Sequence, residues 1–281
     1  MRKGLVSALT AAGFEVRTES EISALRRDVG DMSSDQAVQA IAEQATQVRD
    51  RVCAERRAGR KILTIGGDHS IAIGSVAGAA LATPQNIGLI WIDAHADINT
   101  PETSPSGNVH GMPVAVLLGQ GDTRLTNVVT CPIKKEHLLY IGIKDLDQPE
   151  IDFLRREHIA AVTLFAMLEQ GFSAVTQAID RLLTQVDEVW VSLDLDAIDE
   201  SVAPASAMAT SGSMSYREIT SLCTYLGKTG KVIGMDIAEL TPAKDVEGKT
   251  AELCFELSAA TLGGRYGWYE RYVEKCDQVR T

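Results

Sequence analysis

No run of apolar residues in this chain approaches the ~20 needed to span a bilayer as a helix, so no such segment is predicted and no membrane partner is expected. Cysteine is sparse and unorganised. Cys53, Cys131, Cys223, Cys254 and Cys276 show no CxxC or other ligand spacing, which excludes a thiolate metal site and a disulfide framework and predicts free thiols. Basic charge is also short. The formal net charge of −11 argues against nucleic acid, which requires a basic footprint, and suits a cationic ligand. Linkers, low-complexity stretches and internal repeats are absent as well, so the 281 residues read as a single domain, 1–281. Apolar content of 45% and charged content of 23% supply an ordinary globular core.

Met1-Arg2-Lys3 followed by Gly4 to Ala12 loosely resembles a secretory leader. A short helix running into a strand at Gly13-Phe14-Glu15-Val16 explains the same residues, and a cytoplasmic location is the expectation.

Apolar, β-branched runs recur at Lys61–Ile65, Ile87–Ile92, Leu138–Ile143, Ile159–Leu164, Glu188–Leu193 and Lys231–Ile237. Helical patterns separate them. Ser33-Ser34-Asp35-Gln36 fits a capping box ahead of Val38, Ile41, Ala45, Val48 and Val52, and Ser215-Tyr216-Arg217-Glu218 is a second. Phe172, Val175, Ile179, Leu182 and Val186 mark another amphipathic face, and a last helix is predicted over much of Glu247 to Cys276. Strands alternating with helices imply an α/β fold, a mostly parallel sheet with helices on both faces. Several strands are apolar throughout, as burial on both faces requires.

Three strand ends carry acidic clusters: Gly66-Gly67-Asp68-His69-Ser70, Asp93-Ala94-His95-Ala96-Asp97 and Asp194-Leu195-Asp196. Sites in parallel α/β sheets form beyond such ends. One aspartate there is ordinarily a turn former, but two of the chain's five histidines lie inside these clusters. His69, Asp93, His95, Asp97, Asp194 and Asp196 are therefore the candidate metal ligands. The set is too acidic and too large for a structural zinc, and its oxygen and imidazole donors suit manganese. Two ions sharing a water would lower its pKa toward neutrality, which points to a hydrolase. Asp68 and Asp199 are expected to support the ligands or form turns.

GGDHS (Gly66–Ser70), DAHADINTP (Asp93–Pro101), SGNVHG (Ser106–Gly111) and SLDLDAID (Ser192–Asp199) resemble, in order, the signature segments of the arginase/agmatinase (ureohydrolase) family. The resemblance implies a three-layer fold with an eight-stranded, mostly parallel sheet and two Mn²⁺ ions. It implies His69 and Asp97 on one ion, His95 and Asp196 on the other, and Asp93 and Asp194 bridging. A metal-bridging hydroxide oriented by Asp97 would attack the guanidinium carbon of L-arginine, giving L-ornithine and urea. His110 would shuttle the proton and Glu239 would pair with the guanidinium. Asn99, Ser104, Ser106 and Asn108 would grip the α-carboxylate, and Asp147 and Glu150 the α-ammonium. Relatives are commonly trimers or hexamers, so a homo-oligomer is expected. His137 and His158 match no such position and are expected at the surface or in packing.

Two departures stand out. Where the family carries Asp-Pro and then Thr-Gly-Thr-Pro, this chain reads Asp199-Glu200 and Ser206-Ala207-Met208-Ala209, so Met208 replaces a small hydroxyl residue beside the guanidinium. Relatives also place a strand and a Gly-rich loop ahead of the helix matched by Arg2-Lys3-Gly4-Leu5, so the expected sheet lacks its first strand. The competing readings are a ureohydrolase for another guanidino or formimino substrate, agmatinase-like, and a metal-binding relative without catalysis.

Overall fold

The computed structural model describes residues 2–17, 22, 34–82 and 86–265. Six strands form one parallel sheet: β1 (Ile62–Ile65), β2 (Ile87–Ile92), β3 (Leu138–Ile141), β4 (Ala160–Val162), β5 (Glu188–Asp194) and β6 (Val232–Ala238). Their spatial order is β1-β6-β5-β2-β3-β4, so β5 and β6 insert between β2 and β1. The six predicted runs all become strands, trimmed by a residue or two at several ends. The described residues hold six strands, not the eight the resemblance implied, and β1 and β4 are the edges of this sheet.

Ten helices accompany the sheet among the described residues: α1 (Arg2–Ala11), α2 (Ser34–Arg57), α3 (Ile71–Ala82), α4 (Pro113–Leu117), α5 (Thr123–Thr126), α6 (Gln148–Arg156), α7 (Leu164–Gln170), α8 (Phe172–Leu183), α9 (Tyr216–Lys228) and α10 (Lys249–Thr261). Alternation along each strand divides the core in two. Leu89, Trp91 and Trp190 point to the side of α2 and α3, joined there by Val48, Ile73 and Val76. Ile90, Ile92, Val191, Leu193, Met235 and Ile237 point to the other side, where Val175, Ile179, Leu222 and Leu257 meet them. Burying each such aliphatic side chain is worth roughly 1.5–3 kcal/mol relative to exposure.

The predicted box at Ser215 forms as expected. Glu218 Oε2 accepts from Ser215 N at 2.8 Å, and Ser215 Oγ accepts from Glu218 N at 3.4 Å. The box ahead of α2 includes Ser33, which lies outside the described residues. Gly13–Val16 does not become a strand. Phe14 N donates instead to Leu9 O, closing off α1, and Phe14 packs against the core with its ring beside Gly264, just past α10. Within the predicted range α10 ends at Thr261, where Gly263 takes a left-handed φ of 89°, and the rest of that range beyond residue 265 lies outside the described residues.

The α2–α3 pair approaches closely because α3 is built of small residues, IAIGSVAGAALA. A Cβ on Gly74 would lie 2.6 Å from Ala45 O, and one on Gly78 would lie 2.5 Å from Arg49 O. Both obstacles are backbone, so neither can swing aside. Gly78→Ala should therefore destabilise the fold by about 1–3 kcal/mol despite alanine's higher helix propensity. Urea denaturation measures this, and a midpoint at or above wild type would show that the helices part at little cost.

Candidate metal centre

All strands are parallel, so their carboxyl ends share one edge, and β1, β6, β5 and β2 are neighbours along it. Strand spacing of about 4.8 Å then gathers the three acidic clusters. His69 lies in the turn from β1 into α3, where Asp68 accepts from Ser70 N at 3.1 Å and from its hydroxyl. Asp68 is thus a turn former. Asp199 is another, accepting from Ser201 N at 3.0 Å and Gly212 N at 2.7 Å.

The imidazoles anchor two groups. His69 Nδ1 lies 2.9 Å from Asp93 Oδ2, 3.1 Å from Asp194 Oδ2 and 3.2 Å from Asp97 Oδ2. His95 Nδ1 lies 3.0 Å from Asp196 Oδ2 and 3.5 Å from Asp93 Oδ1. Asp93 belongs to both, one oxygen facing each ring. His69 with Asp93 and Asp97, and His95 with Asp93 and Asp196, each converge closely enough to hold an ion. Asp194 stands with the first group through Oδ2, while its Oδ1 accepts from Asp196 N at 2.8 Å.

Neighbouring groups fix these side chains. Trp91 Nε1 donates to Asp93 Oδ2 at 2.9 Å, and its ring stacks on His69 with centroids 4.0 Å apart. His95 N donates to Asp93 Oδ1 at 2.8 Å, and Ala94 N to Asp196 Oδ1 at 3.2 Å. Asp97 holds φ at 50° and Glu239 at 64°, left-handed conformations uncommon for residues with a side chain and recurrent at functional sites.

Electrostatics favours added positive charge here. Burial, and then the Asp93 charge, pushes the Asp97 carboxyl up to about 8. Burial likewise raises Asp194 and Asp196, with Asp93 adding to both. Hydrogen bonding to Asp196 and Asp93 pushes His95 up to about 12. Burial works against charge on Asp93, yet His69 and His95 hold it well below the usual carboxylate range. The fit to cations has a direct mark: His69 Nδ1 is buried, ringed by carboxylate oxygens, and has no hydrogen-bond partner. A divalent cation supplies what that lone pair and those oxygens require.

Glu239 follows β6 beside this cluster. Its Oε1 accepts from His69 N at 3.1 Å, its N donates to Gly67 O at 2.8 Å, and its carbonyl accepts from Ala207 N at 2.9 Å. Burial, followed by the Asp68 charge, raises its pKa; His110 is among the groups opposing the rise. His110 lies in the short turn Val109–Gly111. Ser206, bridged through its backbone to Leu240, is buried with an unpartnered Oγ, while Met208 is 51% exposed.

The predicted head-group residues divide into two kinds. Ser104 Oγ accepts from Gly107 N at 3.0 Å and Ser106 Oγ from Asn108 N at 3.2 Å, which leaves Ser106 and Asn108 exposed on the loop. Asn99 is committed within the protein, giving Nδ2 to Asp147 Oδ2 at 2.9 Å and accepting from Thr103 Oγ1 at 2.8 Å. Glu150 is buried as the capping partner of Asp147, accepting from Asp147 N at 2.9 Å and Ile98 N at 3.2 Å. Of the remaining histidines, His137 is buried in packing and His158 adopts φ 53°.

Sequence reasoning passed over Trp91, Ser192 and Asp236. Ser192 Oγ lies 2.9 Å from His69 Nε2 and donates to Asp236 Oδ1 at 2.5 Å. A carboxylate inside the apolar strand Val232–Ala238 was the available signal.

Comparison with known proteins agrees with this geometry. The profile described as "Arginase family" matches residues 6–263. An arginase from Brevibacillus brevis is 34% identical over 266 residues, 93% of this chain and 89% of its own. The structure of the Bacillus caldovelox arginase superposes with a TM-score of 0.88 at 33% identity, covering 94% of this chain and 90% of that one. An Entamoeba histolytica arginase solved in complex with L-ornithine gives 0.86 at 27% identity, covering 93% and 89%. By profile, sequence and fold together, the chain belongs to the arginase family of hydrolases.

Proposed function

We propose that this site hydrolyses L-arginine to L-ornithine and urea with two Mn²⁺ ions. The observation that carries the reading is the division of one carboxylate, Asp93, between two imidazole-anchored groups. His69, Asp97 and Asp194 would complete the first position and His95 and Asp196 the second, with Asp194 placed to share. When bound, the ions supply a shared water acidic enough to give hydroxide near neutral pH for attack on the guanidinium carbon.

The chain's residues do the rest. Asp97, beside the first position, would help hold an ion there and would be placed to accept a hydrogen bond from an attacking water. Glu239, its backbone tied to the β1 turn and to the loop at Ala207, presents its carboxylate to the planar guanidinium. His110, close enough to Glu239 to influence it, passes a proton to the leaving amine. Ser106 and Asn108 face solvent where an α-carboxylate would sit, with Ser104 shaping the turn between them. Asp147 meets the α-ammonium. Glu150 and Asn99 act at one remove by fixing Asp147. By resemblance the working form is a cytoplasmic homo-oligomer, a trimer or hexamer.

Met208 favours a second reading, a related guanidino substrate, because it removes a hydroxyl near Glu239. A hydrogen bond to a charged group is worth about 1.5–3 kcal/mol. Met208→Thr should therefore raise kcat/KM for L-arginine about tenfold. An unchanged ratio would count against the assigned contact.

Asp93→Asn should cost both metal positions, since one substitution weakens two groups. Elemental analysis should find well under one Mn²⁺ per chain, and two retained ions would overturn the sharing of Asp93. The direct test of function is urea release by Mn²⁺-loaded protein from L-arginine and from agmatine, with Asp196→Ala alongside. Release from arginine that disappears in the variant is expected. Absence of urea from arginine with two ions bound would refute the assignment, and preference for agmatine would move it to that substrate.

A further inference from the structure

Asp236 lies in mid-β6, fully buried, and the mechanism above makes no use of it. Three side chains donate to its carboxylate: Ser192 Oγ to Oδ1 at 2.5 Å, Trp190 Nε1 to Oδ2 at 2.6 Å and Ser75 Oγ to Oδ2 at 2.7 Å. The donors come from β5 and α3. Cross-strand register pairs Ser192 with Asp236 and Trp190 with Gly234. A Cβ on Gly234 would meet the Trp190 ring at 2.4 Å, so glycine there gives the indole room to reach the carboxylate.

Counting protons gives the consequence. Ser192 has one hydroxyl proton, and Asp236 takes it. Toward His69 Nε2, 2.9 Å away, Ser192 can only accept, so Nε2 carries the ring proton. In the neutral ring, the form that binds a cation, Nδ1 then carries the lone pair, directed at Asp93, Asp97 and Asp194. We propose that Asp236 is a positioning residue, which acts through Ser192 to hold His69 in the Nε2–H tautomer and aim Nδ1 at the first metal position. Partners of this kind set the tautomer and orientation of metal-bound histidines generally. The inference rests on the metal-centre reading above. The rival role is mechanical, Asp236 tying β5, β6 and α3 together.

Asp236→Asn separates the two roles. The side-chain carbonyl can still accept from Trp190 and Ser75, whereas its amide N–H turned to Ser192 reverses the hydroxyl. Ser192 then donates to Nε2 and leaves the ring proton on Nδ1, where the cation belongs. Metal-stripped full-length protein would be titrated with Mn²⁺ by calorimetry, with electron paramagnetic resonance reporting one isolated ion or a coupled pair. Asp236→Asn should weaken the first position about 10- to 100-fold and Ser192→Ala about tenfold, each leaving one tight ion with an uncoupled signal. Ser75→Ala, which loosens the tie without touching the relay, should lower the melting temperature and keep both ions. Wild-type affinity in both Asp236→Asn and Ser192→Ala would overturn the proposal, as would an equal loss in Ser75→Ala. If Asp236→Asn fails to fold, Ser192→Ala decides. Wild-type protein that binds fewer than two ions refutes the metal-centre reading and this inference with it, whereas two ions in every variant refutes the relay alone.

Discussion

The Asp93 carboxylate governs the arrangement of everything around it. One oxygen takes the Trp91 indole N–H and faces His69; the other takes the His95 amide and faces the His95 ring. Four carboxylates and two imidazoles at the ends of three strands are otherwise a concentration of buried charge that folding disfavours. They tolerate one another because both Asp93 oxygens and one oxygen each of Asp194 and Asp196 have donors, and because the oxygens left open converge with the imidazoles on two points. The acidic cluster is therefore a set of oriented dipoles more than a patch of negative surface.

The sheet makes this possible by its order. Insertion of β5 and β6 between β1 and β2 brings residues far apart in the chain to adjacent strand ends. Helix α3 then approaches one face closely enough for Ser75 to reach Asp236, while its Gly74 and Gly78 let α2 touch it through backbone. Helix α3 thus links its packing on α2 to the carboxylate that sits behind His69, the histidine just ahead of its own first turn.

Much of this was legible in the residues themselves. Apolar β-branched runs marked all six strands, and the Asp and His at their ends marked the ligands, because a parallel sheet puts every carboxyl end on one side. The box at Ser215–Glu218 was readable because it depends on residues three apart. What escaped notice depended on register. That Ser192 meets Asp236, or that Trp190 lies over Gly234, follows from which strands pair and where, and no local pattern holds that information. Gly13–Val16 looked like a strand for want of the knowledge that Phe14 has α10 to pack near. Glu150 looked like a substrate contact, but its position three residues after Asp147 is equally that of a capping partner, and the backbone amides claim it.

Exposure divides the site into two populations. His69, Asp93, Asp194 and Asp196 are at most 3% exposed, wired to strands and to one another, whereas Met208 stands 51% in solvent with Ser106 and Asn108 also outside. Substitution at an inner position disturbs several hydrogen bonds and the fold that holds them. Substitution at an outer position disturbs little beyond whatever docks there. Mutational drift in such a molecule is therefore channelled: loop side chains can change at almost no thermodynamic penalty, while the buried cluster stays fixed beneath them.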